Sequence, residues 1–432
     1  MSTDDPLAFL RALQLAPLGR GDGYRRPATK VNSHVHLPPN FSAFASPAEA
    51  TERAAAQGVR ALGTSNYYDY SAYGPFAEHA QARGVFPLFG MEVICLDEGL
   101  LRALARVNDS ANPGRMYLCG KGITGFAPMG LAATELMGEV RRADSERAAV
   151  LIDRLNGVFS AKGLPLALTE ASVKALVADR YGAPVSTVYL QERHVALAFQ
   201  EAVFDNVPGS ERAWALSSVF GAEIAPAASP VEVQDAIRAH LMKRGKPAYV
   251  AETFPPFEHG YGLVLALRGV PCYPVLADGA SPVCEFEQDL ESLVRVLRER
   301  AIYCAELIPN RNAPEVLRRY VGALRSAGMA VLAGTEHNTL EMLPLEPRCA
   351  GALALPGDMR EVFWEGACVV AAHQYQVARD EDGYVDDQGR LAGGYPDAES
   401  RLEALARLGA QVMEEYSKMT VPGSAAMSER GG

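Results

Sequence analysis

The residues predict an α/β protein, and three observations carry that expectation. Short apolar runs alternate with helix-length segments on both flanks of the chain, the pattern of parallel β/α units. Three of those runs close on side chains of metal-ligand type: His34-Val35-His36, then Glu92, then Glu336-His337. The stretch between the flanks carries helical spacing with few strand signals. Alternate residues of a strand face the same way, so a strand over Lys30–His36 aims both imidazoles into one cavity. Neutral imidazole suits zinc, iron and other first-row ions. In folds of this class ligands gather at the C-terminal strand ends, where these candidates fall. Together they point to a metallohydrolase.

The elements follow in order. Ser46-Pro47-Ala48-Glu49 is a capping box with proline at the first helical position, and its helix stops at Gly58. Val59–Gly63 reads as a strand, closed by the polar turn Thr64-Ser65-Asn66. A helix through Phe76–Arg83 ends at Gly84 and leads to the strand Val85–Phe89 before Glu92. Later come a helix near Leu290–Arg300, a strand over Ile302–Ile308 and the turn Pro309-Asn310-Arg311-Asn312. Asn312 is placed to cap a helix running to Gly328, and the strand Met329–Ala333 precedes Gly-Thr-Glu-His-Asn. Residues 1–28 are expected to form a leader, 29–416 the main body with a mostly helical insertion at about 131–244, and 417–432 a flexible tail.

Composition limits the function. At 48% hydrophobic and 22% charged, the chain has ample core. A formal net charge of -11 argues against a non-specific nucleic-acid or membrane surface, though not against a small anion held by a local cluster. The seven cysteines are scattered without a CxxC pair, which suits reduced thiols in the cytoplasm better than a disulfide frame. No apolar run reaches membrane-spanning length. Gly-rich phosphate loops and GxSxG elbows are absent from the sequence, so nothing supports an ATPase or a serine hydrolase.

From about Val31 to Thr339 the order of motifs resembles the PHP (polymerase and histidinol phosphatase) superfamily, in particular its nucleoside 3',5'-bisphosphate phosphatase and 5'-3' exoribonuclease branch. The pieces are Asn32-Ser33-His34-Val35-His36, Gly90-Met91-Glu92-Val93, Gly120-Lys121-Gly122-Ile123, Glu192-Arg193-His194-Val195-Ala196, Lys246-Pro247-Ala248-Tyr249-Val250, Val275-Leu276-Ala277-Asp278-Gly279 and Gly334-Thr335-Glu336-His337-Asn338. The resemblance implies a distorted seven-stranded (β/α)7 barrel, interrupted by the helical insertion. Several family positions differ: its Asp-His falls at Asn66-Tyr67, one histidine at Tyr117, and the histidine of an Ala-His-Pro element at Asp278. The family's metal cluster therefore does not carry over unchanged.

By this resemblance the metal ligands are His34, His36, Glu92, Asp278, Glu336 and His337, holding one or two divalent ions (Mn, Zn or Fe). Arg193, His194, Lys246 and Arg311 are the expected phosphate contacts, since guanidinium grips two oxygens and lysine offers a point charge. The implied reaction is hydrolysis of a phosphoester in a small phosphorylated metabolite or nucleotide, with water on the metal as the attacking group. Two alternatives stay open: a different hydrolase or lyase reaction on a sugar or carboxylate, and a metal- or metabolite-binding protein without turnover.

Overall fold

The computed structural model describes residues 5–16, 29–251 and 253–419. These divide into two compact units: the described residues within Met1–Leu37, Ser46–Leu136 and Pro255–Gly432, and a second unit of Pro38–Ala45 and Met137–Phe254. The ends of the expected leader and tail, residues 1–4, 17–28 and 420–432, lie outside the described residues.

The first unit is mixed α/β. Strands β1 (Lys30–Val35), β2 (Val59–Thr64) and β3 (Phe86–Leu88) pair in parallel in that order. A second sheet holds β4 (Gly90–Leu96), β5 (Arg115–Lys121), β6 (Val270–Val275), β7 (Cys304–Leu307) and β8 (Ala330–Ala333), also in chain order. Not all of it is parallel: β4 runs against β5 and β5 against β6, while β6, β7 and β8 are parallel. Antiparallel neighbours need no crossover helix, and between β4 and β5 the chain makes only the five-residue helix Glu98–Arg102.

A single closed ladder was expected; β1 to β8 instead form two sheets. The break at β3 has a visible cause. Pro87 has no N–H, and the Gln374 side chain accepts from Phe89 N at 2.9 Å and donates to Pro87 O at 3.0 Å, satisfying the end of β3. The sheets still touch through backbone bonds at both margins. Glu336 N donates to His34 O (2.9 Å) and His36 N to Glu336 O (2.8 Å), while Glu92 N donates to Asn66 O (3.2 Å).

Helices cover these strands with apolar stripes at helical spacing. Leu317, Tyr320, Val321 and Leu324 form the buried face of Pro314–Ser326, and Leu293 and Leu297 that of Leu290–Glu299. The central helix Gly357–Val377 is buried along most of its length and lies against β8 and against Ala398–Met419. That last contact is backbone-close: a Cβ on Gly409 would sit 1.8 Å from Cys368 O, so no side chain fits there. Part of the expected leader belongs to the core. Phe9, on the helix Ala8–Ala12, sets its ring edge-on to Phe86 and Tyr416 at 5.9 and 5.1 Å.

The second unit is helical; it takes in residues 38–45 and runs from 137 to 254, where an insertion at about 131–244 was expected. Its helices Glu170–Tyr181, Glu192–Asn206, Gly209–Phe220 and Pro230–Ile237 close over a core that includes Leu155, Phe159, Val195, Phe199, Leu216 and Ile237. None of the helices among the described residues is long and apolar enough to cross a membrane.

Candidate metal centre

The two histidines of the first strand do face one point. β1 ends at Val35, so His34 is its penultimate residue and His36 the first beyond it. Their Nε2 atoms lie 3.3 Å apart. Glu92 reaches the same point from the third position of β4, inside that strand rather than at the end of the preceding one. Its Oε2 is 3.5 Å from His34 Nε2 and 3.3 Å from His36 Nε2. A tetrahedral ion with bonds of ~2.0–2.1 Å sets its donors ~3.3–3.4 Å apart, so this donor set fits a zinc-sized cation at three of four positions. His34, His36 and Glu92 are buried and mutually within metal-ligating reach.

Behind His34 lies a layer that sequence reasoning missed. Glu306, on β7, is fully buried, and its Oε2 accepts the Nδ1 proton of His34 at 2.6 Å. That bond leaves the lone pair of the imidazole on Nε2, toward His36 and Glu92, the usual outer support of a metal-ligating histidine. Lys121, the last residue of β5, is also buried and sits 2.7 Å from Glu306 Oε1. Cys119 Sγ is 4.0 Å from Glu306 Oε2. A charged residue inside a run such as Cys-Ala-Glu-Leu was the available signal, because an ionised side chain on a buried strand needs a partner.

The charges settle accordingly. Burial opposes ionisation of Glu92, but His34 and His36 beside it outweigh that and hold its carboxyl far below the usual range. Burial pulls His36 down. At His34 burial also acts downward, yet Glu306 outweighs it and pushes the group well up. Burial works against the charge on Glu306 as well, and Lys121 and His34 overcome it to lower its pKa.

A cleft of about 320 Å³ opens onto this group, within the range of small-molecule sites. His34 and Glu92 form its floor, and Tyr67, Tyr117, Asn108, Ser110, Ile308, Leu276, Arg311, Glu336 and Asn338 contribute walls. The Tyr67 ring stacks on His36 with centroids 5.2 Å apart and planes 3° from parallel. Gly334 has no room for a side chain, since a Cβ there would lie 2.3 Å from His34 Cβ. Glu336 and His337 follow it in the left-handed region, at φ 59° and 54°. Non-glycine residues hold such backbone only when surrounding bonds impose it. Here the bonds from Thr335 N and Glu336 N to His34 O do so.

The remaining expected ligands are placed differently. Glu336 lines the cleft, but its Oε2 accepts from Arg311 at 2.5 Å and from Asn338 at 2.7 Å, outside the three-donor group. His337 has Nδ1 on Thr335 Oγ1 (2.8 Å) and Nε2 on Leu343 O (3.0 Å), so both ring nitrogens are engaged away from the group. Asp278 is turned from it too: its oxygens accept from Asn312 Nδ2 at 2.8 Å and Ala313 N at 3.0 Å, fastening the start of Pro314–Ser326. An aspartate at a turn satisfies nearby backbone donors first.

Of the expected phosphate contacts, Arg311 lines the cleft. Arg193, His194 and Lys246 belong to the second unit. There Arg193 lies over the Phe41 ring (5.9 Å) and 3.9 Å from Asp235. His194 accepts from Gln191 N at 3.1 Å and is pushed by burial down to about 3, a neutral capping histidine. Lys246 is exposed.

No protein-family model matches the chain, and no curated protein does. The fold itself is shared with a solved structure from Bifidobacterium adolescentis, provisionally described as a metal-dependent phosphoesterase. The TM-score is 0.51 at 14% identity, over 78% of this chain and 96% of that one. A solved amidohydrolase from Chromobacterium violaceum, with bound sulfate and no metal, is also similar, at TM-score 0.48 and 16% identity over 74% and 94% of the two chains.

Proposed function

We propose that the chain is a metal-dependent hydrolase with a distorted β/α barrel of the PHP type, acting on a phosphoester of a small phosphorylated metabolite or nucleotide. The observation that carries this reading is the convergence of His34 Nε2, His36 Nε2 and Glu92 Oε2 at 3.3–3.5 Å on the floor of a cleft. The backbone bonds that join the two sheets at Glu336 and Asn66 support the barrel reading.

His34, His36 and Glu92 would hold the divalent ion, which supplies Lewis acidity and a more acidic water. The chain's own residues then have separable tasks. Glu306 fixes the tautomer of His34. Arg311 presents its guanidinium to the cleft and is the group suited to an anionic substrate oxygen. Tyr67 and Tyr117 wall the cleft with phenols that burial keeps protonated at Tyr67, hence able to donate.

One observation favours a second reading. Arg311 is the one arginine or lysine among the described cleft-lining residues and already pairs with Glu336, while Asn108, Asn338, Ser110 and two tyrosines offer uncharged polar groups. That lining also suits the hydroxyls of a sugar. A panel of phosphomonoesters, phosphodiesters and non-phosphorylated sugar esters, assayed with Mn, Zn and Fe, separates the two. Phosphate release that disappears in His34→Ala and Glu92→Ala, with the fold retained by circular dichroism, is the expected result. Metal content equal to wild type in both variants would falsify the site.

A further inference from the structure

Two groups of potential metal donors meet at one histidine: His34, His36 and Glu92 on one side, and His34, Cys119 and Glu306 on the other. They are mutually exclusive. A neutral imidazole has one lone pair, so His34 can serve only the group its unprotonated nitrogen faces. The 2.6 Å bond from Nδ1 to Glu306 Oε2 puts the proton on the Glu306 side and the lone pair on the His36 side.

The second group is, moreover, already neutralised. An ammonium has three protons, and Lys121 Nζ has three oxygen partners: Glu306 Oε1 at 2.7 Å, Ser65 Oγ at 3.0 Å and Ser33 O at 3.1 Å. Glu306 Oε1 also accepts from Ser33 Oγ at 3.1 Å. The partners come from β1, β7 and the exit of β2, so the lysine joins both sheets at the point where a second cation would otherwise balance Glu306. An added divalent ion there would meet a fixed positive charge in a dry interior, where like-charge repulsion is poorly screened.

We propose that Lys121 is a built-in cation in place of a second metal, so that the centre takes a single divalent ion. Glu306 and Lys121 are then positioning residues, holding His34 as an Nε2 donor. This rests on the metal reading of His34, His36 and Glu92.

The test begins with the full-length chain, stripped of metal with a chelator and titrated with Zn²⁺ and with Mn²⁺ by calorimetry. One equivalent is expected. In the Zn²⁺-loaded protein, ¹⁵N NMR of the imidazoles should find His34 protonated at Nδ1 and unprotonated at Nε2. Glu306→Gln keeps the shape of the side chain but removes the charge, and should weaken ion binding about 10–100-fold, with a lower melting temperature because Lys121 loses its buried counter-charge. Two equivalents in wild type overturn the inference and leave the metal reading standing. No binding overturns both. One equivalent with unchanged affinity in Glu306→Gln removes the positioning role. Should that variant not fold, the wild-type spectrum still decides, because a Zn²⁺-loaded protein with His34 protonated at Nε2 contradicts the proposal directly.

Discussion

Asp278 and Glu92 are both carboxylates near strand ends, and their hydrogen-bond partners separate them. Glu92 faces two imidazoles, whereas Asp278 bonds the Asn312 amide and the backbone of Ala313, the residue that precedes Pro314–Ser326. Losing both of those bonds should lower stability by about 1–2 kcal/mol in Asp278→Ala, the cost typical of a missing helix-start partner. Metal stoichiometry should not change. Denaturant melts and a metal titration on one preparation check both halves; a variant of normal stability that no longer binds metal would return Asp278 to the donor set.

The turn after β6 is held from one side by a single buried side chain. Glu287 accepts from Leu276 N, Ala277 N and Tyr273 Oη, at 2.7–3.1 Å. Burial outweighs those bonds and pushes its carboxyl up to about 7 from 4.5. The folded protein therefore binds the proton more tightly than the unfolded chain. Stability from this group is fully present below about pH 4.5 and is lost as pH rises through about 7, a difference of roughly 3 kcal/mol by linkage. Unfolding free energies between pH 5 and 7.5 should fall in wild type and run flatter in Glu287→Gln, whose amide still accepts from the same backbone. Parallel slopes for the two proteins would show that Glu287 is ionised throughout.

For the whole chain, an ion that binds only the folded state adds its binding energy to stability. A ligand at a hundred times its Kd contributes about 2.7 kcal/mol. Saturating Zn²⁺ or Mn²⁺ should accordingly raise the unfolding temperature of the stripped protein, and the rise should be absent in His36→Ala. The three donors come from residues 34, 36 and 92, with supports at 121 and 306, so the ion links segments far apart in the chain. Scanning calorimetry with and without metal measures this; an equal rise in wild type and His36→Ala would place the ion elsewhere.

What the sequence determined by itself was local. Period-2 geometry put His34 and His36 on one side, proline and serine marked the start of Pro47–Ala56, and the turn at Asn312 with Gly328 beyond it marked Pro314–Ser326. Each follows from a few adjacent residues, and local sterics act at that range. The class α/β was legible for the same reason. Tertiary structure alone decided which carboxylates meet the histidines. Glu92, Asp278, Glu306 and Glu336 all lie on or near strand ends, and only the order and direction of strands bring Glu92 to the floor and Glu306 behind it. The antiparallel turn of β5, which delivers Lys121 to Glu306, has no local pattern that distinguishes it from a parallel strand. Folding then gave Asp278 the Asn312 amide and Ala313 N, and His337 the Thr335 hydroxyl and Leu343 O, because a polar group takes the partner that folding places beside it.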